Sequence, residues 1–330
     1  MRIGLLTGGG DCPGLNAAIR AVVLRANAAR DDVVGFHHGW RGVVEGDVET
    51  LTPASTRGIL ETGGTMLRTA RYHPDEHEGG VAAVQESIER QRLDVLIVVG
   101  GDGTLGSASS IASIEIPIIG IPKTIDNDVA GTTRCIGFDT AVATAAEAID
   151  RVHTTGESHD RVMVVEVMGR STGWLAVCAG LAAGADAICL PERLMSIHEL
   201  AKAVQSHHDA GSTSSVIVVA EGAEFFDCGA TGTGSVGATV ASDLVALTGY
   251  ETRLTVLGHI QRGGMPSAAD RLLATSFGAA AVDAAHDRAF SSLVSWHDDN
   301  VELRPLETVM QGCRPVPAYL LKLASDLTIC

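Results

Sequence analysis

The chain has 330 residues, enough for two lobes of about 150 residues each. Its apolar fraction of 45% allows a large core, and its formal net charge of −16 disfavours nucleic acid and anionic membrane surfaces, both of which select for cations. No apolar run approaches the ~18 residues of a membrane-spanning helix. The 7 cysteines include no CxxC pair, so neither a disulfide framework nor a zinc site is indicated. Met1-Arg2 runs directly into strand-like sequence, which leaves no room for a signal peptide and points to a reduced, cytoplasmic protein.

In chain order, residues 3–6 form a short apolar run that ends in Thr7-Gly8-Gly9-Gly10-Asp11. Residues 15–29 and 81–91 carry apolar residues at helical spacing. Residues 95–99 form a second apolar run, ending in Gly100-Gly101-Asp102-Gly103-Thr104, and residues 116–121 a third, ending in Pro122-Lys123-Thr124-Ile125-Asp126-Asn127-Asp128. A helix is expected over residues 141–152, with Asp139 and Thr140 as candidate caps. Strands are expected at residues 162–167, 187–190, 216–220 and 254–257. The alternation implies an α/β fold with a mostly parallel sheet covered by helices on both faces. Residues 228–239, rich in Gly, Thr and Ala, read as a flexible loop.

Three strands feeding glycine-rich or acidic turns make one site the economical reading, because ligands of open α/β sheets bind at the carboxyl ends of strands. Residues 101–106 match G-x-G-x-x-G, which alone suits a dinucleotide as well as a phosphate. A dinucleotide site expects an acid about 20 residues further on, and the nearest, Asp126, belongs to a different acidic cluster. No G-x-x-x-x-G-K-S/T sequence is present. Asp102 within a glycine loop points to a metal that bridges phosphate oxygens. Lys123, Thr124, Asp126 and Asp128 offer a cation, a hydroxyl, a base and a second acid, the parts that phosphoryl transfer to an alcohol requires. Arg71, Arg161, Arg170, Arg253 and Arg262 stand at strand ends or in turns of an acidic protein, where forked contacts to phosphate are the better explanation. Glu221 is suited to sugar hydroxyls, and His259 to phosphate or substrate.

Taken together, Gly8 to Asn16, Gly100 to Thr104, Pro122 to Asp128, Val165 to Arg170 and Gly258 to Gly264 resemble the signatures of the 6-phosphofructokinase family. The resemblance runs in order from Arg2 to about Gly278. Trp40-Arg41-Gly42, Pro122-Lys123 and Ser171-Thr172-Gly173-Trp174 look like its actinobacterial-type branch, which has ATP- and pyrophosphate-using members. The resemblance implies two Rossmann-like three-layer lobes with mostly parallel sheets. Residues 1–137 plus about 262–310 would bind the donor, and residues 138–261 plus about 311–330 the sugar phosphate. It also implies phosphorylation of fructose 6-phosphate at the 1-hydroxyl, with Mg2+, in glycolysis.

On matching positions, Asp126 would be the base, Thr124 would bind the moving phosphoryl group, Asp128 would support base and metal, and Arg170 would stabilise the transition state. Gly10, Arg71, Tyr72, Gly101, Asp102, Gly103 and Thr104 would hold the donor, with Asp102 on magnesium. Thr124, Ile125, Asp126, Met168, Gly169, Arg170, Glu221, His259, Ile260, Gln261 and Arg262 would hold the sugar phosphate. Arg161 and Arg253 would reach in from a neighbouring subunit of a homotetramer, or of a dimer. Pyrophosphate users of the family carry Asp where this chain has Gly103, and Lys where it has Lys123; Gly103 lacks the block against ATP, so ATP is the expected donor. Arg68 stands where the family has a smaller residue. Residues 73–77 lack the arginines of some ATP enzymes, and residues 206–215 lack the basic cluster of allosteric members, so control by nucleoside diphosphate and phosphoenolpyruvate is expected to be weak or absent. The rival readings are a pyrophosphate-dependent enzyme, a lipid or dinucleotide kinase, an NAD-binding oxidoreductase and a non-enzymatic paralogue.

Overall fold

The computed structural model describes residues 1–112, 116–228 and 234–329. The strands are β1 Arg2–Thr7, β2 Asp32–Phe36, β3 Val48–Leu51, β4 Val95–Gly100, β5 Ile118–Pro122, β6 Val162–Val167, β7 Ala187–Cys189, β8 Ser215–Ala220, β9 Thr252–Val256, β10 Ser292–His297 and β11 Asn300–Pro305. The α-helices are α1 Leu15–Ala28, α2 Trp40–Glu45, α3 Gly80–Gln91, α4 Asp102–Ala112, α5 Phe138–His159, α6 Trp174–Ala182, α7 Ile197–Asp209, α8 Val236–Thr248, α9 Ala268–His286 and α10 Ala318–Leu327. The chain divides into two compact units. The first comprises Met1–Thr140 and Arg262–Arg314; the second comprises Ala141–Gln261 and the segment from Pro315 onward. Among the described residues, no helix is long and apolar enough to cross a membrane.

The first unit is built on a seven-stranded sheet in the order β11-β10-β5-β4-β1-β2-β3. The inner strands run parallel, and β3 and β11 are antiparallel edges. Runs such as Val-Leu-Ile-Val-Val in β4 are buried at every position, as β-branched strands covered on both faces must be. Leu6, Leu96, Val98 and Ile118 share one apolar cluster with Trp40 of α2, Val84 of α3 and Leu105 of α4. Side chains alternate across a strand, so the neighbouring residues Leu5, Ile97 and Ile119 face the other layer, where α1 packs against α9. That pair approaches closely at Gly278, where a Cβ would lie 2.7 Å from the Ala18 carbonyl oxygen.

The chain leaves β1 toward β2 on one side and returns as β4 on the other. The carboxyl ends of β1 and β4 therefore flank a topological switch point, the place where such sheets receive a ligand. The second unit carries a wholly parallel four-stranded sheet, β7-β8-β6-β9. α6 and α8 lie on it, α7 packs on α8, and α10 packs on α6. Ser196 caps α7 by accepting from Glu199 N, a Ser-x-x-Glu start.

Several elements differ from the sequence reading. β2, β3, β10 and β11 were not anticipated. β10 is buried at Leu293, Val294 and Ser295, β11 is exposed along most of its length, and Asp298 and Asp299 join them with φ of 45° and 59°, the left-handed pair of a tight hairpin turn. Residues 236–239 open α8 and are helical rather than loop, with Ser235 accepting from Ala238 N; residues 229–233 lie outside the described residues. α5 runs on to His159, well past residue 152.

Candidate active site

β1 delivers the loop Gly8-Gly9-Gly10-Asp11 at the switch point. Gly8 N donates to Val99 O at 2.9 Å and Gly9 N to Ala70 O at 3.2 Å, while Thr69 Oγ1 donates to Gly9 O at 2.6 Å. The first two glycines are thus tied into the fold, and the Gly10 amide has no hydrogen-bond partner among the described residues. Space explains the glycines. A Cβ on Gly8 would meet Thr104 Cγ2 at 2.6 Å, and one on Gly10 would meet the Arg262 guanidinium at 1.8 Å.

β4 ends at Gly100 and passes into α4, whose first residue is Asp102. A helix start offers unpaired N–H groups and a positive dipole end to an anion. Thr104 is buried, with its side chain against Gly8 and Gly100. Its carbonyl accepts from the indole of Trp40 at 3.1 Å, which anchors the first turn of α4 to α2.

β5 supplies the turn that follows Pro122. Lys123 N donates to Gly100 O at 2.9 Å, and Lys123 Nζ donates to Gly10 O at 2.5 Å. Lys123 is therefore a buried cation beside the β1 loop. Burial holds its ammonium below the usual lysine value, with Arg262 acting in the same sense and Cys12, Asp11 and Asp126 opposing it. Burial likewise pushes the Cys12 thiol up to about 12; this thiol donates to Ile136 O at 3.4 Å and is an inert packing group. Asp126 N donates to Thr124 Oγ1 at 3.0 Å, and Asn127 adopts a left-handed φ of 52°. Asn127 Oδ1 accepts from Cys135 N at 3.1 Å. Arg314 donates through its backbone N to Asp128 O at 2.7 Å and through Nε to Asn127 O at 3.1 Å. Asp126, Asn127 and Asp128 are each only 3% exposed. The start of α4 abuts this turn, since a Cβ on Gly101 would lie 4.0 Å from Thr124 Cβ. The structure thus brings Gly10, Gly101, Lys123, Thr124, Asp126 and Asp128 together.

From Asp102 and Gly103 a cavity of about 370 Å³ opens along α4, lined by His73, Ser107, Met310 and Cys313 among others. Among the described residues, no group of three or more His, Cys, Asp or Glu is arranged to hold a metal. Asp102 is exposed on the wall of this cavity. A carboxylate beside a phosphate cradle fits magnesium, which takes one or two carboxylates and completes its shell with substrate phosphates and water.

In the second unit, β6 ends in Met168-Gly169-Arg170 beside the end of β8. Glu221 Oε1 accepts from Gly169 N at 3.2 Å and from Arg170 N at 2.7 Å. Gly222 is needed for this approach, because a Cβ there would lie 2.1 Å from the Arg170 carbonyl oxygen. The guanidinium groups of Arg161 and Arg253 both pair with Glu251, Arg161 at 2.8 Å. Hydrogen bonding from Arg161 is the main reason that the Glu251 carboxyl lies below its ordinary value. His259 and Ile260 are exposed on a 3-10 turn, Gly258–Arg262.

Some residues stand elsewhere than the sequence reading implied. One Glu221 oxygen is used inside the protein, so it shapes the Gly169-Arg170 backbone as well as facing outward. The Ile125 side chain is buried in the core, and only its backbone can meet a ligand. Gln261 is fully buried and donates to Gly258 O at 3.0 Å, a turn-forming role. The Arg262 side chain lies against Gly10 of the loop after β1. Tyr72 packs against the core of the first unit and stacks on His77 at 4.5 Å, while Arg71 and Arg68 are exposed. His73 and Ser107 were not singled out from the sequence; the available signal was a histidine set directly before Pro74, near the motif arginine.

These glycine loops, helix start and buried carboxylates at a parallel-sheet switch point make an arrangement suited to phosphate chemistry. Comparison with known proteins agrees. The phosphofructokinase family model matches residues 2–285. The chain is 44% identical to the ATP-dependent 6-phosphofructokinase 3 of Streptomyces coelicolor, over 96% of this chain and 97% of that one. It is 45% identical to the pyrophosphate–fructose 6-phosphate 1-phosphotransferase of Amycolatopsis methanolica, over 96% of both. The crystal structure of Pichia pastoris phosphofructokinase in the T-state superposes with a TM-score of 0.86 at 33% identity, covering 99% of this chain and 36% of that much longer one. The chain belongs to the phosphofructokinase family.

Proposed function

We propose that this chain transfers the terminal phosphoryl group of ATP to the 1-hydroxyl of fructose 6-phosphate. The observation that carries the reading is the buried turn Thr124–Asp128, held against the start of α4 and the Gly10 loop. Asp126 accepts the hydroxyl proton as the sugar oxygen bonds to the terminal phosphorus, and the bond from that phosphorus to the bridging oxygen breaks to release ADP. Thr124 and Arg170 bind the moving phosphoryl group, and Asp128 supports the base. Gly10, Gly101, Asp102, Gly103, Thr104 and Arg71 hold the donor, and Lys123 adds positive charge beside the loop. Met168, Gly169, Arg170, Glu221, His259 and Arg262 hold the sugar phosphate. Asp102 is the residue placed to hold Mg2+, which when bound neutralises charge on the donor phosphates. The protein acts in the cytoplasm as a homotetramer in which Arg161 and Arg253 serve a neighbouring subunit. Arg253 is exposed on the edge strand β9, beside exposed Leu254 and Val256, and its neighbour Arg161, half-buried just before β6, pairs with the same Glu251; this placement supports that role.

Two features support ATP over pyrophosphate. Gly103 leaves room at the mouth of the cavity, and about 370 Å³ beyond it exceeds what a diphosphate needs. The buried cation Lys123 keeps pyrophosphate as the second reading. The test is turnover of fructose 6-phosphate with ATP and with pyrophosphate, with and without magnesium, for the wild type and Asp126→Asn. The reading expects ATP- and magnesium-dependent turnover, and a kcat lower by about 10²–10⁴-fold in the variant, the worth of a positioned base. Turnover with pyrophosphate alone overturns the donor assignment, and an undiminished Asp126→Asn overturns the mechanism.

A further inference from the structure

His73 is fixed at both ends. Its backbone is extended, with φ −123° and ψ 103°, directly before Pro74, as the proline ring demands of the residue preceding it. Its ring is held at Nδ1 by the buried Ser107 hydroxyl, 3.1 Å away on α4. Ser107 makes no other side-chain hydrogen bond among the described residues. When that hydroxyl donates, Nδ1 is the acceptor and the ring presents its N–H at Nε2. The ring faces Gly103: a Cβ there would meet His73 Cε1 at 2.8 Å and Nε2 at 3.4 Å.

Position along α4 gives this contact its meaning. Gly101 lies against Thr124 at the reacting end, Gly103 lies against His73 two residues further on, and the cavity continues past Ser107 to Met310. A donor with its terminal phosphoryl group at Thr124 passes Gly103 and His73 where its phosphate chain joins the nucleoside. We infer that His73 is a donor-specificity residue, whose Nε2 donates a hydrogen bond to the innermost phosphate of a nucleoside triphosphate, a group that pyrophosphate lacks. The inference rests on the ATP reading above and adds the residue that recognises it. Acidic residues Asp75 and Glu76 share the cavity, so this imidazole supplies a donor on a wall otherwise ill-suited to an anion.

The experiment is His73→Leu, which keeps bulk and removes both nitrogens. Hydrogen bonds to charged groups are worth enough that the KM for ATP should rise about tenfold or more, with the KM for fructose 6-phosphate within about twofold of wild type. Calorimetry without turnover should show ADP binding weakened by the same factor and pyrophosphate binding unchanged. Ser107→Ala, which releases the ring without touching Nε2, should raise the ATP KM about threefold, and it serves if His73→Leu does not fold. An ATP KM that stays at the wild-type value in both variants, or equal weakening of ADP and pyrophosphate, overturns the assignment. A wild-type chain that uses pyrophosphate and not ATP sinks the donor reading and this assignment with it. An ATP-active wild type with an indifferent His73→Leu sinks this assignment alone.

Discussion

Lys123, Asp126 and Asp128 of the first unit are each 3% exposed, whereas the side chains of Arg161 and Arg253 in the second keep 24% and 54% of their surface in solvent. The first set stands on a turn tied down by Lys123 Nζ on Gly10 O and by backbone bonds to Thr124 and Arg314. The second rests on one exposed carboxylate, Glu251. On the proposed reading, a base carried on so buried a turn needs little reorganisation when substrate arrives, which is where electrostatic catalysis gains most. A pair of half-exposed guanidinium groups on a surface carboxylate is weakly held, since such ion pairs are worth about 0–1 kcal/mol. By the same proposed reading a phosphate displaces that carboxylate at small cost, so that chemistry is built on the rigid element and anion capture on the adaptable one.

The largest expected effect is in the rigid unit. Gly103→Asp places a charged side chain on the His73 ring and at the mouth of the cavity. Turnover with ATP should fall at least about a hundredfold, the loss expected when a site is made to repel one partner, and unchanged ATP kinetics would refute exclusion as the basis of donor choice. Gly222→Ala comes next. Its Cβ meets backbone, the Arg170 carbonyl oxygen at 2.1 Å, so the Gly169-Arg170 segment must move; at Gly10 the obstacle is only the flexible end of Arg262. Gly222→Ala should raise the KM for fructose 6-phosphate about tenfold, within the ~1–3 kcal/mol of a strained or displaced backbone, and leave the ATP KM alone. Steady-state kinetics in both substrates checks the split, which equal effects on the two would erase.

Glu251→Gln should act weakly and in the opposite direction. If the carboxylate is a placeholder, its loss frees Arg161 and Arg253 and lowers the KM for fructose 6-phosphate about threefold at low salt, an advantage that ~1 M salt removes by screening. A rise in KM would instead make Glu251 a support that positions the arginines.

The smallest effect concerns stability alone. Asp227 accepts from Ser196 Oγ at 2.5 Å, Ile197 N at 2.7 Å and His198 Nδ1 at 2.9 Å. Desolvation raises its carboxyl, but these bonds outweigh it and hold the group at about 2, against an ordinary value of 3.8. Its stabilisation is present above the ordinary value and is lost as pH falls from about 4 toward 2. Melting curves over that window should decline more steeply for the wild type than for Asp227→Asn, and parallel curves would exclude a stabilising role for these bonds to Asp227.

Most of the parallel strands were legible in the sequence because strands covered on both faces read as unbroken Val and Ile runs, and their turns carry the chemistry. Four strands of the first sheet were not. β3 is partly and β11 largely solvated, so their apolar signal is broken; β2 is a five-residue strand holding one Gly, and β10 mixes Ser and His with its apolar residues. Of the candidate site, Lys123, Thr124, Asp126 and Asp128 could be placed because one strand end carries all four. Gln261, Ile125 and Tyr72 could not, since a motif records that a residue type stands at a position, not which way the side chain turns. His73 was hidden for a related reason: its partner, Ser107, lies 34 positions away, and only folding brings the ring onto Gly103.

Trp40 gives the molecule a built-in optical gauge. Its indole is 1% exposed and donates to the first turn of α4, the turn on which donor phosphates would settle. Emission from this ring should therefore change in wavelength or intensity as nucleotide fills the site, with no label attached. A Trp40→Phe chain, which keeps Trp174 and Trp296, should lose that change in the same titration.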